Sequence, residues 1–191
     1  MNAVIHNIAS RRTVKPAAMS GAKIDDQLVW QCLEAGHWAP NHARTEPWRF
    51  IVYTQDTLVQ FCKDHAALYQ QSVSEDNFNP TKFQSLLHQA DTLSHAVMIV
   101  MKRTPEAKIP WLEEYAATAA AAQNILLAAT SLNIATIWST GGMILTDAMK
   151  AYLQLEAEDA VLGCIFMGEA KEEVKAGTRK VTVAEKTDWK K

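Results

Sequence analysis

Residues 39–54, APNHARTEPWRFIVYT, join a polar loop directly to an aromatic, β-branched run. Its second half, Trp48 to Thr54, is rich in aromatic and β-branched residues and reads as a strand. Its first half is a loop carrying polar donors, and binding residues often sit on such loops. Upstream, Leu28, Cys32, Ala35 and Ala39 recur at four-three-four spacing, which predicts an amphipathic helix over 25–39. Asp25 stands where an N-cap belongs, and Pro40 marks where that helix has to stop.

Working outward, His95 to Met101 and Val161 to Gly168 are short, nearly continuous apolar runs, the pattern of strands covered on both faces. Helices are expected over 55–71 and 81–92, joined by a polar connection at Ser72 to Pro80, and a short helix over 2–10. The longest helical segment is Trp111 to Leu132, in which Trp111, Tyr115, Ala119, Ala122, Leu126, Ala129 and Leu132 form a three-four rhythm. Its middle, Ala116 to Ala122, holds six Ala and one Thr, small enough for close approach by another helix. That segment is a central core helix or a helix at a subunit interface. The elements together give α/β or α+β architecture, helices packed on a small sheet. No repeat or low-complexity linker divides the chain, so residues 1–191 are read as a single domain.

Composition narrows the class. Of 191 residues, 48% are hydrophobic and 21% charged, ordinary for a folded globular chain. Nineteen Lys and Arg against 21 Asp and Glu leave a net charge of -2 with no basic stripe, which argues against nucleic acid as a partner. Cys32, Cys62 and Cys164 are dispersed and odd in number, without the spacing of a zinc site or disulfide framework, and fit a reducing compartment. The first ten residues lack a signal-peptide core and no apolar stretch is long enough to span a bilayer, so a cytoplasmic location without membrane partners is expected. No HExxH or HxxEH motif suggests a metal. The dinucleotide-binding GxGxxG, the P-loop and the GxSxG elbow are absent too.

Four clusters could carry chemistry, and each has a plainer alternative. Arg11, Arg12, Thr13 and Lys15 could bind an anion bidentately, or simply end a helix favourably with its dipole. Pro40, Asn41 and His42 open the loop before the strand, where His42 could line a pocket or bond to nearby backbone. Trp138, Ser139, Thr140 and Gly141, followed by Gly142, would let a planar ligand approach backbone N–H groups, or make an ordinary tight turn. Arg179 and Lys180 form a late basic pair.

In this order and spacing the clusters resemble the FMN-dependent nitroreductase family, specifically its small, minimal branch. The resemblance runs from Arg11-Arg12-Thr13 through APNHARTEPWRF (39–50) and AAQNILLAA (121–129) to Trp138 and the C-terminal basic pair, and the A-P-x-H-x-x-x-x-P-W element is its most specific part. It implies an α+β, three-layer fold with a small mixed or antiparallel sheet, built as an intertwined homodimer with FMN at the subunit interface. On that carry-over Arg11, Arg12 and Thr13 hold the phosphate and ribityl end, Lys15 lies near the pyrimidine, and Arg179 or Lys180 closes on the phosphate. Pro40, Asn41 and His42 line the pocket, with His42 reaching flavin bound by the other subunit. Trp138, Ser139, Thr140 and Gly141 run along the isoalloxazine. The 111–132 helix forms the dimer core, and the C-terminal tail embraces the partner.

The implied activity is reduction of nitroaromatics, quinones or similar small electrophiles, with NADH or NADPH as donor, in ping-pong fashion over one flavin face and with no essential side-chain acid or base. A non-catalytic or regulatory flavin-binding dimer is the alternative. Arg44 and Glu46 stand where relatives often have Asn and Gln, Asn133 where many have Gly, and Trp38 where some have Arg. These departures bear on pocket polarity and acceptor preference.

Overall fold

The computed structural model describes residues 2–190, so Met1 and Lys191, the ends of the expected domain, lie outside the described residues. Elements run in the order α1 (Ala3–Ser10), α2 (Asp26–His37), β1 (Trp48–Thr54), α3 (Gln55–Ser72), α4 (Pro80–Leu87), β2 (His95–Met101), α5 (Trp111–Ser131), β3 (Ala135–Ser139), α6 (Asp147–Tyr152) and β4 (Ala160–Gly168). The local signals act as expected at several ends. The Asp25 carboxylate accepts the Gln27 N–H and caps α2. Thr54 and Thr57 form a capping box that starts α3 directly from the end of β1. Asn133 takes up the left-handed conformation (φ 57°) just past the end of α5.

The sheet order is β1-β2-β4-β3, and every neighbouring pair is antiparallel. The fold is therefore α+β with an antiparallel sheet, one of the two alternatives expected. Thr54 pairs with His95, so the chain leaves β1 and re-enters at β2 at the same end of the sheet, with the intervening α3 and α4 packed against each other. On one face Val97, Ile99, Met101, Ile165 and Met167 pack with α2 and α5 through Cys32, Leu33, Ile125 and Leu126. On the other, Ala96, Met98, Val100, Cys164 and Phe166 pack with α3 and α6 through Leu58, Phe61, Cys62 and Met149. This makes three layers, and β2 is buried along its whole length because both faces are covered.

Three expectations need correction. The predicted 81–92 helix stops at Leu87. There the His88 N–H is shared between the Gln84 and Leu86 carbonyls, and a separate 3-10 turn over Gln89–Asp91 delivers buried Leu93 to the sheet. A strand at 135–139 had not been foreseen, nor had α6; both are short enough to lack a readable period. The buried face of α5 is also rotated from the expected stripe: it runs through Glu114, Ala117, Thr118, Ala121, Ala122, Ile125, Leu126 and Ala129, while Trp111 is 40% exposed. An alanine-rich helix offers little polar contrast to orient it, so its packing partner decides. That partner is Gly36 of α2, where an added Cβ would lie 2.7 Å from Ile125 Cγ1 and 3.2 Å from the Ala121 carbonyl oxygen.

Candidate functional site

Arg11 to Lys15 form the hub of the site. As α1 ends, the chain turns extended and runs parallel to β3, with Thr13 opposite Thr136 and the Val14 N–H donating to the Thr136 carbonyl at 2.9 Å. Arg12 folds back on its own helix end. Its guanidinium donates to the Ala9 carbonyl at 2.8 Å and the Arg11 carbonyl at 2.6 Å, while its Nε is buried without a partner. Arg12 thereby satisfies carbonyls at the end of its own helix. Arg11, half-buried, is not drawn into those contacts.

The C-terminal segment comes to the same place. Met19 bridges Ala170, and Lys171 ties down to the Ala18 and Ala17 carbonyls through its N–H and its ammonium, each at 3.0 Å. The chain then runs exposed from 171 to 190, passing Arg12 at Gly177 so closely that a Cβ there would sit 2.5 Å from the guanidinium carbon. Arg179 and Lys180, both exposed, follow within three residues of that contact. Between the Thr13–Ala18 stretch and the tail lies a cleft of about 590 Å³, lined among others by Thr13, Lys15, Lys171 and Lys175 and by Glu172 and Glu173.

Trp138 to Gly142 adjoin this hub through β3. A bulge in β4 at Leu162–Gly163 breaks the register opposite Ile99 and Val100. Gly163 has φ 142°, and an added Cβ would lie 2.3 Å from Trp138 Nε1. The Trp138 indole N–H donates instead to the Leu162 carbonyl at 2.9 Å. The bulge thus seats Trp138 and terminates β3 one residue later, the usual work of a bulge beside a binding site. Beyond it the Gly141 N–H approaches Ser139 Oγ at 3.3 Å, and Gly142 takes a left-handed φ of 67°. His65 of α3 closes the turn from beneath: its Nε2 accepts the Met143 N–H at 2.9 Å. Burial, reinforced by Lys82, pushes the His65 imidazole down to about 4. It is therefore neutral and an acceptor at Nε2.

The Pro40–Trp48 loop lies elsewhere. It leads into β1, and three interstrand steps of roughly 4.8 Å put β1 about 14 Å across the sheet from β3. Ala43, Arg44 and Glu46 all have left-handed φ (52°, 57° and 44°), an unusual density for non-glycine residues. The loop is held by Asn41 Oδ1 accepting the Glu46 N–H at 3.1 Å and by Trp48 Nε1 donating to His37 Nδ1 at 3.1 Å. His42 Nδ1 pairs with Glu113 Oε2 of α5 at 2.7 Å, both side chains being well exposed.

One chain therefore gathers Arg11–Lys15, Trp138–Gly142 and the approach to Arg179 and Lys180, and leaves Pro40, Asn41 and His42 on the far edge. Sequence reasoning missed Glu113, His65, Gly163 and Gly177. The glycines are isolated ones, and an isolated glycine in a strand pattern does signal a bulge, so Gly163 was open to detection. His65 sits in an ordinary helical pattern without any such mark.

Comparison with known proteins agrees with this fold. A nitroreductase-like family protein from Bacillus cereus superposes with a TM-score of 0.81 at 20% identity, covering 99% of this chain and 96% of that one. A nitroreductase with bound FMN from Bacteroides fragilis gives 0.68 at 23% identity, over 95% of this chain and 100% of that one. In sequence, a Bacillus subtilis protein provisionally named NAD(P)H nitroreductase YfhC is 24% identical over 162 residues, 84% of this chain and 81% of that one. The nitroreductase family pattern matches residues 8–169, most of the chain, and the chain belongs to the nitroreductase family.

Proposed function

We propose that this chain is a single-domain, FMN-dependent oxidoreductase that takes electrons from NADH or NADPH and passes them to small electrophiles such as nitroaromatics or quinones. The observation that carries this reading is the cleft between the Thr13–Ala18 stretch, which bridges to β3 at Thr136, and the lysine-bearing segment 170–175, in a chain of this family. The residues fit a flavin phosphate: a cleft of about 590 Å³ is of ordinary cofactor size. Three lysines, Lys15, Lys171 and Lys175, line it against two glutamates. Arg11 and Lys15 supply charge, Thr13 a hydroxyl, and the turn after Trp138 backbone N–H groups for the ring edge. FMN supplies the two-electron chemistry when bound, and the protein positions it and excludes water. His42 has Glu113 to orient it but no demonstrated partner in the reaction, and no essential acid or base is assigned.

The same reading makes the working unit a homodimer. Val4, Ile5 and Ile8 of α1 and Leu112 of α5 are 50–69% exposed, and Trp189 in the tail is 80% exposed. A homodimer that covers these side chains would bring the second copy's Pro40–His42 loop to the hub that one chain leaves incomplete. The test is an absorbance spectrum after FMN addition and desalting, followed by anaerobic titration with NADH and with NADPH. Retained flavin bands that bleach support the reductase. Retained bands that stay coloured leave a flavin binder without the chemistry, and a folded protein that keeps no flavin overturns the assignment.

A further inference from the structure

His65 is a buried histidine that the reading above does not use. It is 1% exposed on the inner face of α3, and among the described residues the only hydrogen bond of its side chain is the one Nε2 accepts from the Met143 N–H. With Nε2 an acceptor, the proton sits on Nδ1, and Nδ1 is buried with no partner. An orphaned buried N–H carries an uncompensated desolvation cost, which a leucine or methionine of similar size would avoid. Packing alone therefore does not account for a histidine here. Its ring also dictates the neighbour: an added Cβ on Gly142 would lie 2.5 Å from Nε2 and 2.7 Å from Cε1. The imidazole thus fixes both the left-handed Gly142 and the Met143 amide, the two residues that end the Trp138–Gly142 turn. The turn's other backbone hydrogen bonds among the described residues are local, Ile144 N–H to the Gly141 carbonyl at 3.4 Å and Thr146 N–H to the Met143 carbonyl at 3.0 Å, while the Met143 side chain packs with Ala66, Tyr69 and Leu86 and Ile144 is buried in the core.

We propose that His65 is a positioning residue: by holding Met143 and Gly142 it fixes the Ser139–Gly141 turn and aims the Thr140 backbone N–H at the flavin ring, and so sets cofactor affinity and redox potential. The inference rests on the flavin assignment above and adds to it a residue that never touches the cofactor. Donors aimed at the ring edge favour its reduced, more negative form, so a loosened turn weakens binding and moves the potential to more negative values. A neutral imidazole is required, and the low pKa of His65 keeps it neutral through the physiological range.

The experiment compares wild type with His65→Leu and His65→Gln. It measures FMN dissociation constant by fluorescence, the potential of the bound flavin, amide hydrogen exchange at 139–143 without cofactor, and thermal stability without cofactor. Leu keeps the bulk and removes the acceptor; Gln returns an acceptor oxygen. The expected result is at least about a tenfold weaker FMN affinity in His65→Leu, a more negative potential and faster exchange of Met143, with undiminished stability. His65→Gln recovers much of each. Wild-type affinity, potential and exchange in both variants overturn the inference alone. A wild-type protein that binds no FMN overturns the flavin assignment, and the inference falls with it. Loss of affinity that tracks a loss of apo stability in both variants reduces His65 to a structural residue and also overturns the proposal.

Discussion

At the scale of single residues, the two adjacent arginines have different jobs. Arg12 satisfies carbonyls at the end of α1 and lies under Gly177, whereas Arg11 stays out of those contacts. Arg11→Ala is expected to weaken FMN binding at least about tenfold, a charge-assisted contact being worth roughly 1.5–3 kcal/mol, with little change in melting temperature. Arg12→Ala should instead lower stability by about 1 kcal/mol in denaturant titration and loosen the tail. His65 gives a pH signature of its own. Its pKa is about 4 in the fold against 6.5 for the free side chain, so between those values the unfolded chain binds more protons than the native one. Stability therefore falls as pH drops from about 6.5 to about 4, by roughly 3 kcal/mol over that range, and no further from this residue below it. Denaturant titrations across pH check this, and His65→Leu should flatten that limb.

Elements meet where side chains are missing. Gly36 lets α5 close on α2, and Gly163 makes the bulge that receives the Trp138 indole. Gly36→Ala is expected to cost about 1–3 kcal/mol by pushing Ile125 at its Cγ1, near the root of the side chain, where it has little freedom to yield. Gly163→Ala should destabilise by at least as much, because it combines a strained φ with a clash at Trp138 Nε1. Only the second should also weaken FMN binding, since it moves the end of β3. Parallel measurements of chemical stability and FMN affinity on the two variants separate a packing glycine from a site-forming one. The residues near β2's far end are tied in a different way: Asp159 binds the Lys102 ammonium at 2.5 Å and the Arg103 and Glu156 N–H groups at 2.9 Å. Arg103 itself pairs with buried Glu114 of α5, anchoring the loop before that helix.

For the whole molecule, the decisive geometry is that His42 and Arg11 lie at opposite edges of one sheet. If a pocket needs both, two chains must supply it. Co-expressing Arg11→Ala and His42→Ala chains should then produce mixed dimers with one doubly impaired and one intact pocket, recovering high-affinity FMN sites that neither variant shows alone. Recovery measured by fluorescence titration of the purified mixed dimer supports the shared pocket. No recovery would mean that each chain builds its site alone.

Much of this chain was legible without its structure, because local chemistry carries the information. The two-sided burial of β2 and β4, the Asp25 cap and the end of α2 ahead of Pro40, at His37, follow from hydrophobic pattern and backbone sterics within a few residues. Family motifs pointed to the clusters at 11–15, 40–42 and 138–141. The fold itself had to decide what depends on partners distant in sequence. Which face of α5 is buried was set by Gly36, some ninety residues away, since alanines carry no directional signal of their own. That Trp138 sits in a bulge, that Arg12 faces Gly177, and that His65 holds the turn at Met143 are contacts across 24, 165 and 78 residues. Local sequence specifies elements and donor types, but only chain packing specifies which donors meet.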